Sequence, residues 1–184
     1  RKRLMNQKNG RAKENDFDAL TPEVILDAVE AAGFRSTGEY SQLNSYENRV
    51  FDVFTESKER VIAKFYRPGR WSDEAILDEH QFLDELNLEG ISAVPALKLK
   101  NGKSIVYSGK YRTALFPRVL GRNPQEFLPG ELKQVGRLLA RIHNVGSRKK
   151  AKHRLTLDAK SFGWDVLPRL ENFVYPELLN QYLD

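Results

Sequence analysis

Arg60-Val61-Ile62-Ala63-Lys64-Phe65-Tyr66 is a short apolar run with one lysine set into it. Its Val, Ile, Phe and Tyr residues favour a pleated strand. At period two, Val61, Ala63 and Phe65 share one face, and Ile62, Lys64 and Tyr66 share the other. Lys64 therefore has apolar and aromatic neighbours, where an ammonium is costly unless an anion meets it. Two readings follow. An edge-strand lysine snorkels to water along its own stem. A lysine on a working face meets a carboxylate or a ligand instead. The flanking sequence offers both kinds of partner.

Downstream, Arg67-Pro68-Gly69-Arg70 breaks the strand, and a helix is expected from a Ser72 cap to about Asn87. Ala75, Ile76, Phe82, Leu83 and Leu86 form its apolar side. Glu79 falls inside that stripe, at i+4 from Ala75 and i−3 from Phe82. Asp73, Glu74, Asp78, Asp84 and Glu85 reach water more easily. A carboxylate in an apolar stripe wants a cation, and Lys64 lies 15 residues earlier. The alternative is a glutamate at the rim of the stripe. His80 reads as a surface or boundary residue. With no second histidine or cysteine at ligand spacing, no metal role is assigned.

Upstream, Thr21 caps a helix with Pro22 at its first position, and Gly33 ends it. Strands are expected at 38–43 and 49–55, around the loop Asn44-Ser45-Tyr46-Glu47-Asn48. Such a loop can offer N–H groups and a hydroxyl to phosphate oxygens. It is not Gly-rich and carries no Walker pattern, so an ordinary hairpin turn remains the other reading.

Beyond the Glu79 helix, residues 93–99, 104–107 and 111–116 read as strands, with a turn at Asn101-Gly102. The expected fold is α+β, with about five antiparallel strands and a helix inserted after the third. Residues 17–117 form this lobe, and residues 118–124 form a connector. Residues 125–184 begin a mainly helical second lobe. Leu132, Val135, Leu138, Leu139 and Ile142 are its first stripe, with Gly136 and Ala140 allowing close approach. A short helix is expected around 176–182. The sequence stops where no domain looks finished.

The 184 residues hold 40% hydrophobic residues and no cysteine, so disulfide frameworks and thiolate chemistry are excluded. No run approaches the roughly 20 apolar residues that span a bilayer, and a cytoplasmic protein without membrane contact is expected. The net charge of +5 is local. Arg1, Lys2, Arg3, Lys8, Arg11 and Lys13 stand without an acid, leaving 24 basic residues against 25 acidic ones. This tail, residues 1–16, reads as disordered and solvated rather than as a nucleic-acid contact. The sequence begins with Arg rather than Met, so the natural start is expected to lie upstream.

A strand lysine, a helix glutamate and an exit connector form half of the machinery of protein kinases and their relatives. There the lysine pairs the nucleotide phosphates and the glutamate holds the lysine. On that scheme Lys64 reaches phosphate, Glu79 orients it, and Ser45, Tyr46, Glu47 and Asn48 cover the phosphates. Phe116, Pro117, Arg118 and Val119 line the adenine slot. Val61, Ile62 or Ala63 roofs it, and strand phase alone leaves that choice open.

The run from Leu43 through Asn48 to Phe51 resembles the nucleotide loop of the bacterial stress response kinases. These belong to the aminoglycoside phosphotransferase and choline kinase superfamily. Ala63-Lys64-Phe65-Tyr66-Arg67-Pro68-Gly69-Arg70-Trp71 and Ile76-Leu77-Asp78-Glu79-His80-Gln81-Phe82 carry the same resemblance. Phe116-Pro117-Arg118-Val119 is similar to the family's linker. Val135-Gly136-Arg137-Leu138-Leu139-Ala140-Arg141-Ile142-His143 is similar to the superfamily's first large-lobe helix. The resemblance implies an ATP- and magnesium-dependent kinase for serine or threonine of proteins, working in cytoplasmic stress survival, with Ser45 on ATP. A small-molecule kinase, or a non-catalytic nucleotide-binding module, is the alternative.

One departure is large. The family's His-Gly-Asp…Asn loop is absent, and His153-Arg154-Leu155 has leucine where the aspartate would stand. No catalytic residue and no magnesium ligand is therefore assigned. The chain reads as the N-terminal part of a kinase about twice as long, with the aspartate and the metal ligands beyond Asp184. Such a piece is expected to be inactive alone and to self-associate through Leu138, Leu139, Ile142, Phe162 and Trp164.

Overall fold

A computed structural model of the chain describes residues 16–121, 126–170, 173–178 and 181. The basic tail up to residue 15, and residues 122–124 of the expected connector, lie outside this set. The chain divides into two compact units, residues 1–150 and 151–184.

Helix α1, Pro22–Ala31, begins at Thr21, whose hydroxyl accepts from the Val24 N–H. It buries Ile25, Ala28 and Val29. Gly33, at φ +95°, turns the chain out of it. Strands β1 (Ser36–Leu43), β2 (Arg49–Thr55) and β3 (Arg60–Phe65) follow as two hairpins. Helix α2 (Asp73–Leu88) is inserted next, capped by Ser72 onto the Ala75 N–H. β4 (Val106–Ser108) and β5 (Tyr111–Pro117) complete a five-stranded antiparallel sheet in the order β1-β2-β3-β5-β4.

The alternation of β3 divides the core. Val61, Ala63 and Phe65 are buried with Phe51, Val53, Tyr111 and the α1 side chains. Phe65 is fully buried and meets the edges of the Phe51 and Tyr111 rings, with centroids at 5.7 and 6.2 Å. The opposite face carries Ile62, Lys64 and Tyr66. There Tyr66 packs with Ile76 of α2, Ile105 and Ala114.

Two expectations are corrected. Residues 93–99 do not form a strand. Pro95 lacks an N–H, and the segment contributes isolated bonds instead of a ladder: Leu97 N–H to the Leu115 carbonyl and Leu99 N–H to the Lys103 carbonyl. The returning strand is Val106–Ser108, two residues later than the apolar run suggests. The turn at Asn101-Gly102 does form, with Gly102 at φ +77°.

Helix α3, Pro129–Gly146, belongs to the first unit. Ile142 and Val145 pack on Phe82, Leu86 and Ile91. Among the described residues, a Cβ at Gly136 would meet nothing within 4 Å, so the expected close approach is not made to them there. It is made at Gly146, where an added Cβ would stand 3.6 Å from the Phe82 ring. Leu138 and Leu139 remain exposed, and Ile142 does not.

In the second unit, a π-helical turn (Lys160–Trp164), the short helix α4 (Leu167–Leu170) and a 3-10 turn (Pro176–Leu178) are the described elements. Within the expected 176–182 helix, residues 176–178 form the 3-10 turn and Gln181 is helical, while residues 179, 180 and 182 lie outside the described set. Phe162 and Trp164 are exposed. Among the described residues no helix is long and apolar enough to cross a membrane.

Replacing Phe65 by Ala removes a ring that sits between two others at the centre of the α1 face. The expected loss is about 3–5 kcal/mol of unfolding free energy, read from urea denaturation at constant m.

Candidate functional site

Lys64 rises from β3 between Val50 of β2 and Ala114 of β5, its partners in register. Its Nζ donates to Glu79 Oε1 at 2.6 Å. The two side chains are 22% and 23% exposed, so the pair is mostly buried but open on one side. The ammonium also lies 4.5 Å from the centroid of the Tyr66 ring. Glu79 reaches it because α2 packs Ile76 onto the same sheet face, three residues earlier on the helix.

Of Val61, Ile62 and Ala63, only Ile62 shares the sheet face of Lys64. Val61 and Ala63 are buried on the α1 side, whereas Ile62 is half-buried on the Lys64 face. Ile62 pairs with Phe116 and Asp52 across the sheet. Val61 pairs with Pro117, so the connector begins about 10 Å along β3 from Lys64.

At the Lys64 end, the loop between β1 and β2 is tied down from within. Ser45 Oγ donates to the Asn48 carbonyl at 2.6 Å. Asn48 Oδ1 accepts the Arg67 N–H at 3.3 Å, and the Glu47 carbonyl accepts Arg67 Nε at 3.1 Å. The Glu47 carboxylate accepts Trp71 Nε1 at 2.7 Å and Arg70 Nε at 3.3 Å. Its charge is thus used inside the loop's anchorage. Tyr46 stands fully exposed at the tip.

At the other end, Arg118 Nε donates to Asp52 Oδ2 at 2.8 Å. Arg60 donates to both Asp52 oxygens, through Nε at 2.9 Å and through Nη2. The Asp52 side chain is 4% exposed, so two guanidiniums satisfy one buried carboxylate. Pro117 and Arg118 also line an open groove of about 520 Å³ with Phe34, Val61 and Leu97, which does not reach Lys64. Val119 is 65% exposed. The structure therefore groups Lys64, Glu79 and Phe116 on one face and puts the Ser45 to Asn48 loop at its near end, and Val119 follows the end of β5.

His80 is the main correction. It is 1% exposed, neither at the surface nor at a boundary. Its Nε2 lies 3.1 Å from Tyr66 Oη, its Nδ1 lies 2.7 Å from Ser104 Oγ, and its ring meets the Phe116 edge at 5.9 Å. Burial pulls its pKa from 6.5 down to about 4. Glu79 and Asp84 oppose that shift, and Lys98 and Lys64 add to it. Sequence reasoning missed Tyr66, His80, Ser104 and Asp52. Asp52 left a signal, as an acid between Phe51 and Val53 in an apolar strand, and so did Tyr66, by sharing the Lys64 face. Among the described residues, no group of three or more His, Cys, Asp or Glu is placed to hold a metal ion.

A five-stranded antiparallel sheet, a helix inserted after its third strand, and a lysine–glutamate pair between them define a kinase-like small lobe. The chain belongs to the phosphotransferase enzyme family, whose model matches residues 39–183. It is 38% identical over 133 residues to stress response kinase A of Salmonella choleraesuis strain SC-B67, covering 72% of this chain and 40% of the relative. Its identity to the serine/threonine protein kinase RdoA of Salmonella typhimurium strain LT2 is also 38% over 133 residues, with the same coverage. The chain thus spans about two fifths of the length of these relatives. Among solved structures, a microcompartment-associated aminopropanol kinase superposes with a TM-score of 0.63 at 20% identity. That match covers 81% of this chain and 48% of the kinase, and it shows a shared fold.

Unfolded chains take up the His80 proton near pH 6.5, and the folded protein does so only near pH 4. Between those values the unfolded state binds more protons, so stability rises with pH. Acidification from pH 7 to pH 4 is expected to cost about 3 kcal/mol through this group. Urea titrations across that range should show a flatter pH dependence for His80→Gln than for the wild type.

Proposed function

We propose that this chain supplies the nucleotide-binding lobe of an ATP-dependent kinase that phosphorylates serine or threonine of proteins. The observation that carries the reading is the Lys64–Glu79 pair, open on one side of a sheet face. It lies between a polar loop and a connector set about one nucleotide length apart. An ammonium held by one carboxylate keeps further donor capacity for phosphate oxygens. Ser45 and Asn48 present the loop's polar edge at the same end. The half-buried Ile62 and the Phe116 ring offer apolar surface for the base. Residues that fit ATP are present in this half of the site.

Magnesium would supply charge neutralisation at the phosphates. The described residues give it no donor set, and its ligands, with the aspartate that handles the acceptor hydroxyl, are assigned to residues outside this chain. The protein acceptor follows the relatives, a stress response kinase A and a serine/threonine protein kinase. The solved aminopropanol kinase shares the fold, so the lobe itself does not separate protein from small-molecule acceptors. Acceptor choice belongs to the second lobe.

Titration calorimetry with a non-hydrolysable ATP analogue tests the reading. The wild-type chain should bind, and Lys64→Ala should lower affinity at least tenfold, about 1.4 kcal/mol. A wild-type chain with no measurable affinity, or an unaffected Lys64→Ala variant, refutes it.

Leu132, Leu138 and Leu139 of α3 are 43–55% exposed, and Phe162 and Trp164 of the second unit more than half. The isolated chain is expected to self-associate through such surface. Sedimentation velocity should show mass-average size rising with concentration. A monomer at all concentrations counts against it.

A further inference from the structure

Behind the Lys64–Glu79 contact runs a line of buried polar groups that phosphate binding does not itself use. Tyr66 Oη lies 3.1 Å from Glu79 Oε1 and 3.1 Å from His80 Nε2. His80 Nδ1 lies 2.7 Å from Ser104 Oγ. Tyr66, His80 and Ser104 are each 3% exposed or less. In such surroundings a mismatched donor or acceptor is expensive, so the direction of each hydrogen bond is constrained.

The direction follows from proton counting. A carboxylate paired with an ammonium only accepts, so the single phenolic proton of Tyr66 goes to Glu79 Oε1. Tyr66 Oη must then accept from His80, which places the imidazole proton on Nε2. Nδ1 is left as an acceptor, and the Ser104 hydroxyl donates to it. The opposite polarity would point Oη lone pairs at Glu79 Oε1 across 3.1 Å. The chain therefore runs one way, from Ser104 through His80 and Tyr66 to the oxygen that holds Lys64.

We infer that Tyr66 and His80 are positioning residues for Lys64: the Nε2–H imidazole aims the phenol, the phenol fixes Glu79 Oε1, and that oxygen aims the ammonium. Tyr66 acts on both partners, since its ring also lies under Lys64 Nζ at 4.5 Å. His80 carries the link further, because its ring stands against the edge of Phe116 near the connector. The inference rests on the nucleotide reading of Lys64 and adds how the small lobe sets the lysine before any ligand arrives.

The test has two readouts that do not depend on nucleotide and one that does. Two-bond proton–nitrogen NMR of the histidine-labelled wild-type chain at pH 7 should show His80 as the neutral Nε2–H tautomer. The Nδ1–H form or a charged ring overturns the inference. Acetylation of Lys64, followed by peptide mass spectrometry, should speed up roughly three- to tenfold in Tyr66→Phe and His80→Leu, the range one net intramolecular hydrogen bond commands. His80→Gln, whose amide can donate to Tyr66, should return the rate towards wild type. Ile25→Val, on the opposite face of the sheet, should leave it unchanged.

Affinity for the ATP analogue should fall by a similar factor in Tyr66→Phe and recover in His80→Gln relative to His80→Leu. Tyr66→Phe deletes one oxygen and keeps the ring, so it remains informative if His80→Leu does not fold. Unchanged Lys64 reactivity in folded Tyr66→Phe overturns the positioning role whatever the nucleotide does. The expected reactivity changes in a chain that binds no nucleotide would uphold the positioning and refute the function proposed above.

Discussion

A lysine that is four-fifths buried on a sheet face must be met by a carboxylate, and the layout of this lobe follows from that need. Removing either partner would leave a charge poorly solvated, while the pair itself yields little net stability once desolvation is counted. What the contact fixes is geometry. Glu79 can reach Lys64 only if α2 lies along the Lys64 face with one rotation about its axis. That rotation also brings Ile76 against Tyr66 and Ala114, and His80 against Phe116. One ion pair and one helix phase thereby join the third strand to the last.

The two faces of the sheet are built on different rules. Beneath α1 the packing is mainly aromatic and aliphatic, with Phe51, Phe65 and Tyr111 edge to face and Thr113 buried on the same side of β5. The Lys64 face instead holds two carboxylate centres, the half-buried Glu79 met by Lys64 near one end and the buried Asp52 met by Arg60 and Arg118 near the other. Stability resides mainly on the first face, and the polar geometry on the second. A sheet can keep both because alternate residues of each strand belong to different environments.

Much of this was legible in the sequence, for local reasons. The Thr21 and Ser72 caps, the phase of β3 and the place of Glu79 in its stripe depend on residues a turn or a pleat away. What was not legible depended on partners distant in the chain. His80 looks like a surface residue until Tyr66, 14 residues before it, and Ser104, 24 residues after it, close around it. Residues 93–99 have strand composition and Leu97 reaches the β5 edge that β4 leaves open, but Pro95 cannot donate and no ladder forms, so propensity was overridden. Glu47 looked like part of a ligand loop, and its carboxylate proved to be spent on Arg70 and Trp71. Strand phase fixed the pair of faces but not which face was open, and Ile62 could be put on the open one only once α1 was seen to cover Val61 and Ala63.

The anchorage of the Ser45 to Asn48 loop has a thermodynamic consequence. Arg67, Arg70 and Trp71 hold its backbone and its one acidic side chain from the protein side. Whatever seats against that loop meets a surface whose chain entropy was surrendered during folding, not at the encounter. Only the Tyr46 side chain, standing free in water, still has rotational freedom to lose.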